Sequence, residues 1–75
     1  MTPALRGKIR LGIIAAYPER VLNVLASRGI VFWEVDWRGE GELSLSVHRA
    51  DYRAAKAALD ALNAEVTVER QTGLR

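Results

Sequence analysis

Catalysis near neutral pH needs convergent groups: a nucleophile with its base, two carboxylates with separated pKa values, or three to four metal ligands. This 75-residue chain has one histidine, His48, and no cysteine. Thiolate chemistry, disulfides and cysteine metal sites are therefore excluded. One histidine with scattered carboxylates does not make a ligand set, and His48 falls on the outward side of an alternating segment, as an exposed residue without a role. Glu34, Asp36, Glu40 and Glu42 gather around a glycine-containing turn. A paired-acid site would need one of them buried with a raised pKa. A solvated hairpin edge is the simpler reading, and it discourages edge-to-edge pairing. No Ser–His–Asp set can be assembled, and Gly39-Glu40-Gly41 reads as a turn rather than a phosphate cradle. The expectation is a non-enzymatic protein with no cofactor and no metal.

Residues that could bind rather than react are more informative. Arg49, Arg53 and Lys56 recur at i, i+4 and i+7, a basic stripe on a helix. A solvated face explains it, and so does an acidic partner or an anionic membrane surface. Trp33 depends on the register of its strand. In one register it is core. In the other it projects from an uncovered sheet face, where a large aromatic marks a contact surface. The net charge is +2, and the nine arginines and two lysines are scattered; nucleic-acid binding needs several cations on one face, so the charge balance alone argues little.

These residues need elements to hold them. Lys8 to Ile14 alternates, with Ile9, Leu11 and Ile13 on one side, as a half-buried strand does. Pro18 opens a helix at its first position, Glu19 complements the N-terminus, Val21, Leu22 and Leu25 form the buried stripe, and Gly29 stops it. Ile30 to Trp37 is β-branched and aromatic. A bulge near Trp33 or Glu34 would turn Ile30, Phe32 and Val35 to the core and leave Glu34, Asp36 and Trp33 outside. That register is preferred because it keeps both carboxylates out of the core. Arg38 to Gly41 is a hairpin loop. Glu42 to His48 alternates, with Leu43, Leu45 and Val47 inward and Ser44, Ser46 and His48 outward. Asp51 is an N-cap candidate for a helix whose stripe is Tyr52, Ala55, Leu59 and Leu62, with Asn63 as its stop. Val66 and Val68 point inward from a last strand.

The expected architecture is one domain over 1–75, with strands over 8–14, 30–37, 42–48 and 64–70 and helices over 18–28 and 51–62. The order β-α-β-β-α-β is that of an α+β, ferredoxin-like fold: two helices on one face of a four-stranded antiparallel sheet. Right-handed crossovers give strand order 4-1-3-2, with Lys8 and Arg10 beside Glu69 and Thr67. Met1 to Gly7 reads as an irregular start and Gln71 to Arg75 as a tail. No signal peptide is visible, and no apolar run approaches the roughly 20 residues of a membrane span, so the chain as it stands reads as soluble and cytoplasmic.

Gly7-Lys-Ile-Arg-Leu, Pro18-Glu-Arg-Val-Leu-Asn, Gly29-Ile-Val-Phe-Trp-Glu-Val, Leu45-Ser-Val-His-Arg-Ala-Asp-Tyr-Arg and Val66-Thr-Val-Glu-Arg-Gln-Thr-Gly-Leu together resemble the N-terminal part of the YqfD family of sporulation membrane proteins. The most specific piece is Pro18-Glu19-Arg20 with Leu22-Asn23, then Gly29-Ile30 and Trp33. The resemblance implies the cytoplasmic head of a membrane-anchored protein of spore-forming bacteria, near the membrane through a span downstream. Where the family reads Gly-Leu-Pro, this sequence has Gly73-Leu74-Arg75. The resemblance carries no catalytic residues. The expected function is a protein-interaction or assembly domain, meeting a protein partner or a second copy through the open sheet face, with Trp33, Arg49, Arg53 and Lys56 as interaction candidates. The alternative is an ACT-like ligand-sensing dimerisation domain, because the helix–Gly29-Ile30–strand junction is where such domains bind amino acids. RNA binding on the sheet would need aromatics on the central strands, where this chain has Lys8, Arg10, Ser44 and Ser46.

Overall fold

Alternation builds the two central strands. The computed structural model describes residues 7–72, and in it β1 (Lys8–Ile14) pairs antiparallel with β3 (Glu42–His48) in the register Ile9↔Val47, Leu11↔Leu45, Ile13↔Leu43. All six of these side chains are buried. A period of two puts them on one face, and that face takes both helices. Helix α1 (Pro18–Ser27) buries Val21 and Leu25 there, and α2 (Tyr52–Asp60) buries Ala55, Ala58 and Leu59. Each fully buried Leu, Ile or Val contributes about 1.5–3 kcal/mol relative to exposure. Strands β2 (Phe32–Gly39) and β4 (Glu65–Thr72) form the edges. The order is β2-β3-β1-β4, or 4-1-3-2 from the opposite edge, and every pair is antiparallel. The chain is thus an α+β protein.

The helices close by the same device. After α1, Gly29 adopts φ +74, its N–H bonds to Ala26 O at 3.0 Å, and the Ile30 N–H bonds to Leu25 O at 2.9 Å. This is a Schellman closure, whose apolar pair is Leu25 and Ile30, both buried. After α2, Asn63 takes φ 61, its N–H bonds to Asp60 O, and the Ala64 N–H bonds to Leu59 O. In each case the left-handed residue hands the next side chain into the core, Ile30 at 5% and Ala64 at 8% exposure.

Several boundaries differ from expectation for local reasons. Asp51 makes no side-chain capping bond. The chain enters α2 through a 3-10 turn, Arg49–Asp51, which takes Arg49 off the helix. Strand β2 begins at Phe32 and runs through Arg38 and Gly39, leaving only Glu40 and Gly41 as the hairpin tip. Gln71 and Thr72 belong to β4, opposite Ile9 and Lys8. Residues 1–6 and 73–75, expected as irregular ends, lie outside the described residues.

Candidate functional site: the open face of the sheet

The face that carries no helix is read off the pairing. One row crosses all four strands: Trp33 on β2, Ser46 on β3, Arg10 on β1 and Arg70 on β4. Trp33 faces this side because β2 is bulged. Trp33 pairs with Ser46 and Asp36 with Ser44, so Glu34 and Val35 together oppose Leu45. Glu34 absorbs the extra residue with φ 55, a left-handed conformation uncommon for a residue with a Cβ. Beyond it, Val35 packs on the core with Ile30 and Phe32. The preferred register is the one observed.

Two further irregularities occur in the same sheet, and each involves a charged residue. Arg38 lies at the register shift between Trp37 and Gly39. Glu69 is the unpaired residue where Arg10 opposes Arg70 and Leu11 opposes Val68. The expected neighbours of Lys8 and Arg10 are corrected accordingly: Thr72 and Arg70 stand opposite them, Thr67 stands opposite Gly12, and Glu69 is re-aimed. A bulge redirects a side chain, and these three converge. Arg38 forms a bidentate pair with Glu69, Nη1–Oε2 2.6 Å and Nη2–Oε1 2.9 Å, which ties edge strand β2 to edge strand β4 across the two central strands. Gly12 on β1 makes room for it. A Cβ at Gly12 would lie 2.9 Å from Glu69 Cδ and closer still to a carboxylate oxygen.

Arg10 occupies the centre. Its Nη1 donates to the Glu34 carbonyl at 2.6 Å and to Ser46 Oγ at 3.2 Å, and its Nη2 donates to Ser44 Oγ at 2.8 Å. Ser46 Oγ in turn donates to Glu34 Oε1 at 2.9 Å, and Lys8 Nζ reaches the same oxygen at 3.2 Å. The Ser46 hydroxyl first, then Lys8 and Arg10, hold the Glu34 carboxyl below its ordinary range. Ser44 and Ser46 were expected to be solvent-facing. Both are instead fully buried beneath this network, and no buried side-chain polar atom among the described residues lacks a partner. A shallow cavity of about 350 Å³ opens here, lined by Lys8, Arg10, Arg38 and Arg70 against Glu34 and Glu69, with Ser46 in its wall.

Trp33 borders this network, half-buried, and packs on His48 with ring centroids 4.7 Å apart and planes at 52°. His48 is exposed but partnered by this ring. The basic stripe does not stay together. Lys56 is bound to Asp60 on its own helix at 3.1 Å, whereas Arg49 and Arg53 border a separate cleft floored by Ile9 and Val68. Among the acidic residues, Glu34 belongs to the network rather than the hairpin tip, and Asp36 lies 3.7 Å from Arg38. Among the described residues no group of His, Asp or Glu is arranged to hold a metal, and no helix is long and apolar enough to cross a membrane. Sequence reading placed Arg10 on the open face but missed the site it forms with Arg38, Glu69 and Arg70. The available signal was Gly12, a glycine inside an alternating strand, which marks a close approach.

No curated protein and no solved structure matches the chain. Residues 3–75 match the sporulation family described as "Putative stage IV sporulation protein YqfD". With nearly its whole length accounted for by that match, and with the segments that carry the likeness falling in all four strands and both helices, the chain belongs to the YqfD family.

Proposed function

We propose that this chain is a non-catalytic assembly module of ferredoxin-like βαββαβ architecture, acting in sporulation and associating through its open sheet face with a protein partner or a second copy. The observation that carries the reading is Trp33: a large aromatic, incompletely buried, on the face no helix covers, beside a fixed polar rim. An apolar centre with a polar surround is how association surfaces are built. The element order and the placement of both helices on one face support the architecture. The resemblance to membrane-anchored relatives supports a place on the cytoplasmic side of a membrane. Fractionation of the full-length protein tests that placement, and recovery in the soluble fraction alone would refute it.

The association surface is tested by Trp33→Ser. Loss of the Trp33–His48 pair costs about 0.5–1.5 kcal/mol, so the variant stays folded by urea denaturation while sedimentation shows weakened association. Unfolding of the variant would make Trp33 a core residue and remove the support. No observation favours the ACT-like alternative. Its ligand would need the Gly29–Ile30 junction, and both backbone N–H groups there are bonded back into α1.

A further inference from the structure

The charges around the open-face cavity do not cancel. Four cations line it against two carboxylates. Glu34 takes Lys8 at 3.2 Å and stands 3.9 Å from Arg10, and Glu69 takes Arg38. Two cations are left incompletely matched: Arg10, sharing one carboxylate with Lys8, and Arg70, with none among the described residues. These two stand directly opposite each other in the β1–β4 pair, an arrangement of like charges that destabilises a sheet. Arg10 cannot swing away, because Ser44, Ser46 and the Glu34 carbonyl hold its guanidinium. Arg70 has no hydrogen-bond or ion-pair partner among the described residues and lies exposed on an edge strand. A fixed arginine and a free one beside a cavity form a preorganised seat for an anion.

We propose that this cavity receives the carboxylates of an acidic segment on a partner protein, with Arg70 as the free cation that closes on them and Arg10 as the fixed one. The inference rests on the open face being the association surface, and it names the chemistry of the partner. A short acidic segment fits better than a nucleic-acid strand. The pairing places Asp36, Glu42 and Glu65 on the same face toward the other end of the strands, where they would repel a continuous phosphate backbone but spare a group seated between Arg10 and Arg70.

The test is fluorescence anisotropy at low ionic strength with a short labelled peptide of consecutive glutamates, its glutamine counterpart, and an oligouridylate. The wild-type protein binds the glutamate peptide and not the glutamine one. Arg70→Gln weakens binding about tenfold, the loss of one charge-assisted hydrogen bond, and Arg70→Glu abolishes it. Both variants keep or raise the urea midpoint, since a like-charge pair is removed. Arg53→Gln, which removes a cation from the helix side, leaves binding unchanged. Equal weakening by Arg53→Gln would reduce the effect to net charge, and absence of binding would overturn the proposal. Tighter binding of the oligouridylate would overturn it in favour of nucleic acid. If Trp33→Ser abolishes association while Arg70→Gln leaves it intact, the association surface stands and only the acidic chemistry falls. If neither variant changes association, the underlying reading fails as well.

Discussion

At Gly12 two small effects oppose each other. Gly12 lies in ordinary strand conformation, without a positive φ, so replacing it by alanine should stabilise by about 0.4–1 kcal/mol through the unfolded chain. The new Cβ, however, displaces the Glu69 carboxylate from Arg38, and a partly exposed ion pair is worth up to about 1 kcal/mol. Gly12→Ala is therefore near neutral in the wild type and stabilising in a Glu69→Ala background. Equal effects in the two backgrounds, measured by urea denaturation, would mean that Glu69 does not rest over Gly12. Glu34 supplies a second test. Its folded pKa lies below the ordinary 4.5, so its contribution to stability is fully present above that value and is lost as pH falls through the depressed folded value. Glu34→Gln should lower the denaturation midpoint at neutral pH and flatten the acid limb between those two values. An acid limb identical to that of the wild type would remove Glu34 from the network.

At the scale of elements, the helix closures and the central strands were legible because their signals are local. Pro18 and Gly29 bracket α1, and Ile9, Leu11 and Ile13 alternate on β1 without interruption. Gly29→Ala should cost about 1–2 kcal/mol, the penalty of a left-handed backbone for a residue with a Cβ. Leu25→Ala should cost about 2–5 kcal/mol, because it leaves a cavity beneath the Leu25–Ile30 contact. A cost for Leu25→Ala within about 0.5 kcal/mol, as at ordinary surface sites, would place the helical stripe on the wrong side. The edge strands were only half legible. Charge on Glu34 and Asp36 signalled the bulge in β2, because both carboxylates had to stay out of the core. Nothing comparable marked the bulge at Glu69. Val66 and Val68 keep period two up to it, Arg70 reads as the strand's last residue, and the residues from Gln71 on read as a tail, although Gln71 and Thr72 extend the strand.

For the whole molecule, the two faces of the sheet divide the work. The helix side supplies the apolar core, and the other side supplies a polar network assembled from three separate register irregularities. Its members are distant in sequence, from Lys8 to Arg70, which is why the fold was readable from periodicity while the site was not. Ser44 and Ser46 show the difference. Alternation placed them on the right face, but their burial depends on Arg10 and Glu34 closing over them. The two tryptophans offer a direct test of the association surface, because the pairing puts them on opposite faces: Trp33 opposite Ser46, and Trp37 opposite Leu43 with half its surface exposed. The decisive measurement is an NMR titration that follows both indole N–H signals as the protein concentration is raised or the glutamate peptide is added. The open-face account predicts that the Trp33 signal moves while the Trp37 signal stays. Movement of Trp37 with Trp33 unchanged, or no movement of either, would contradict it.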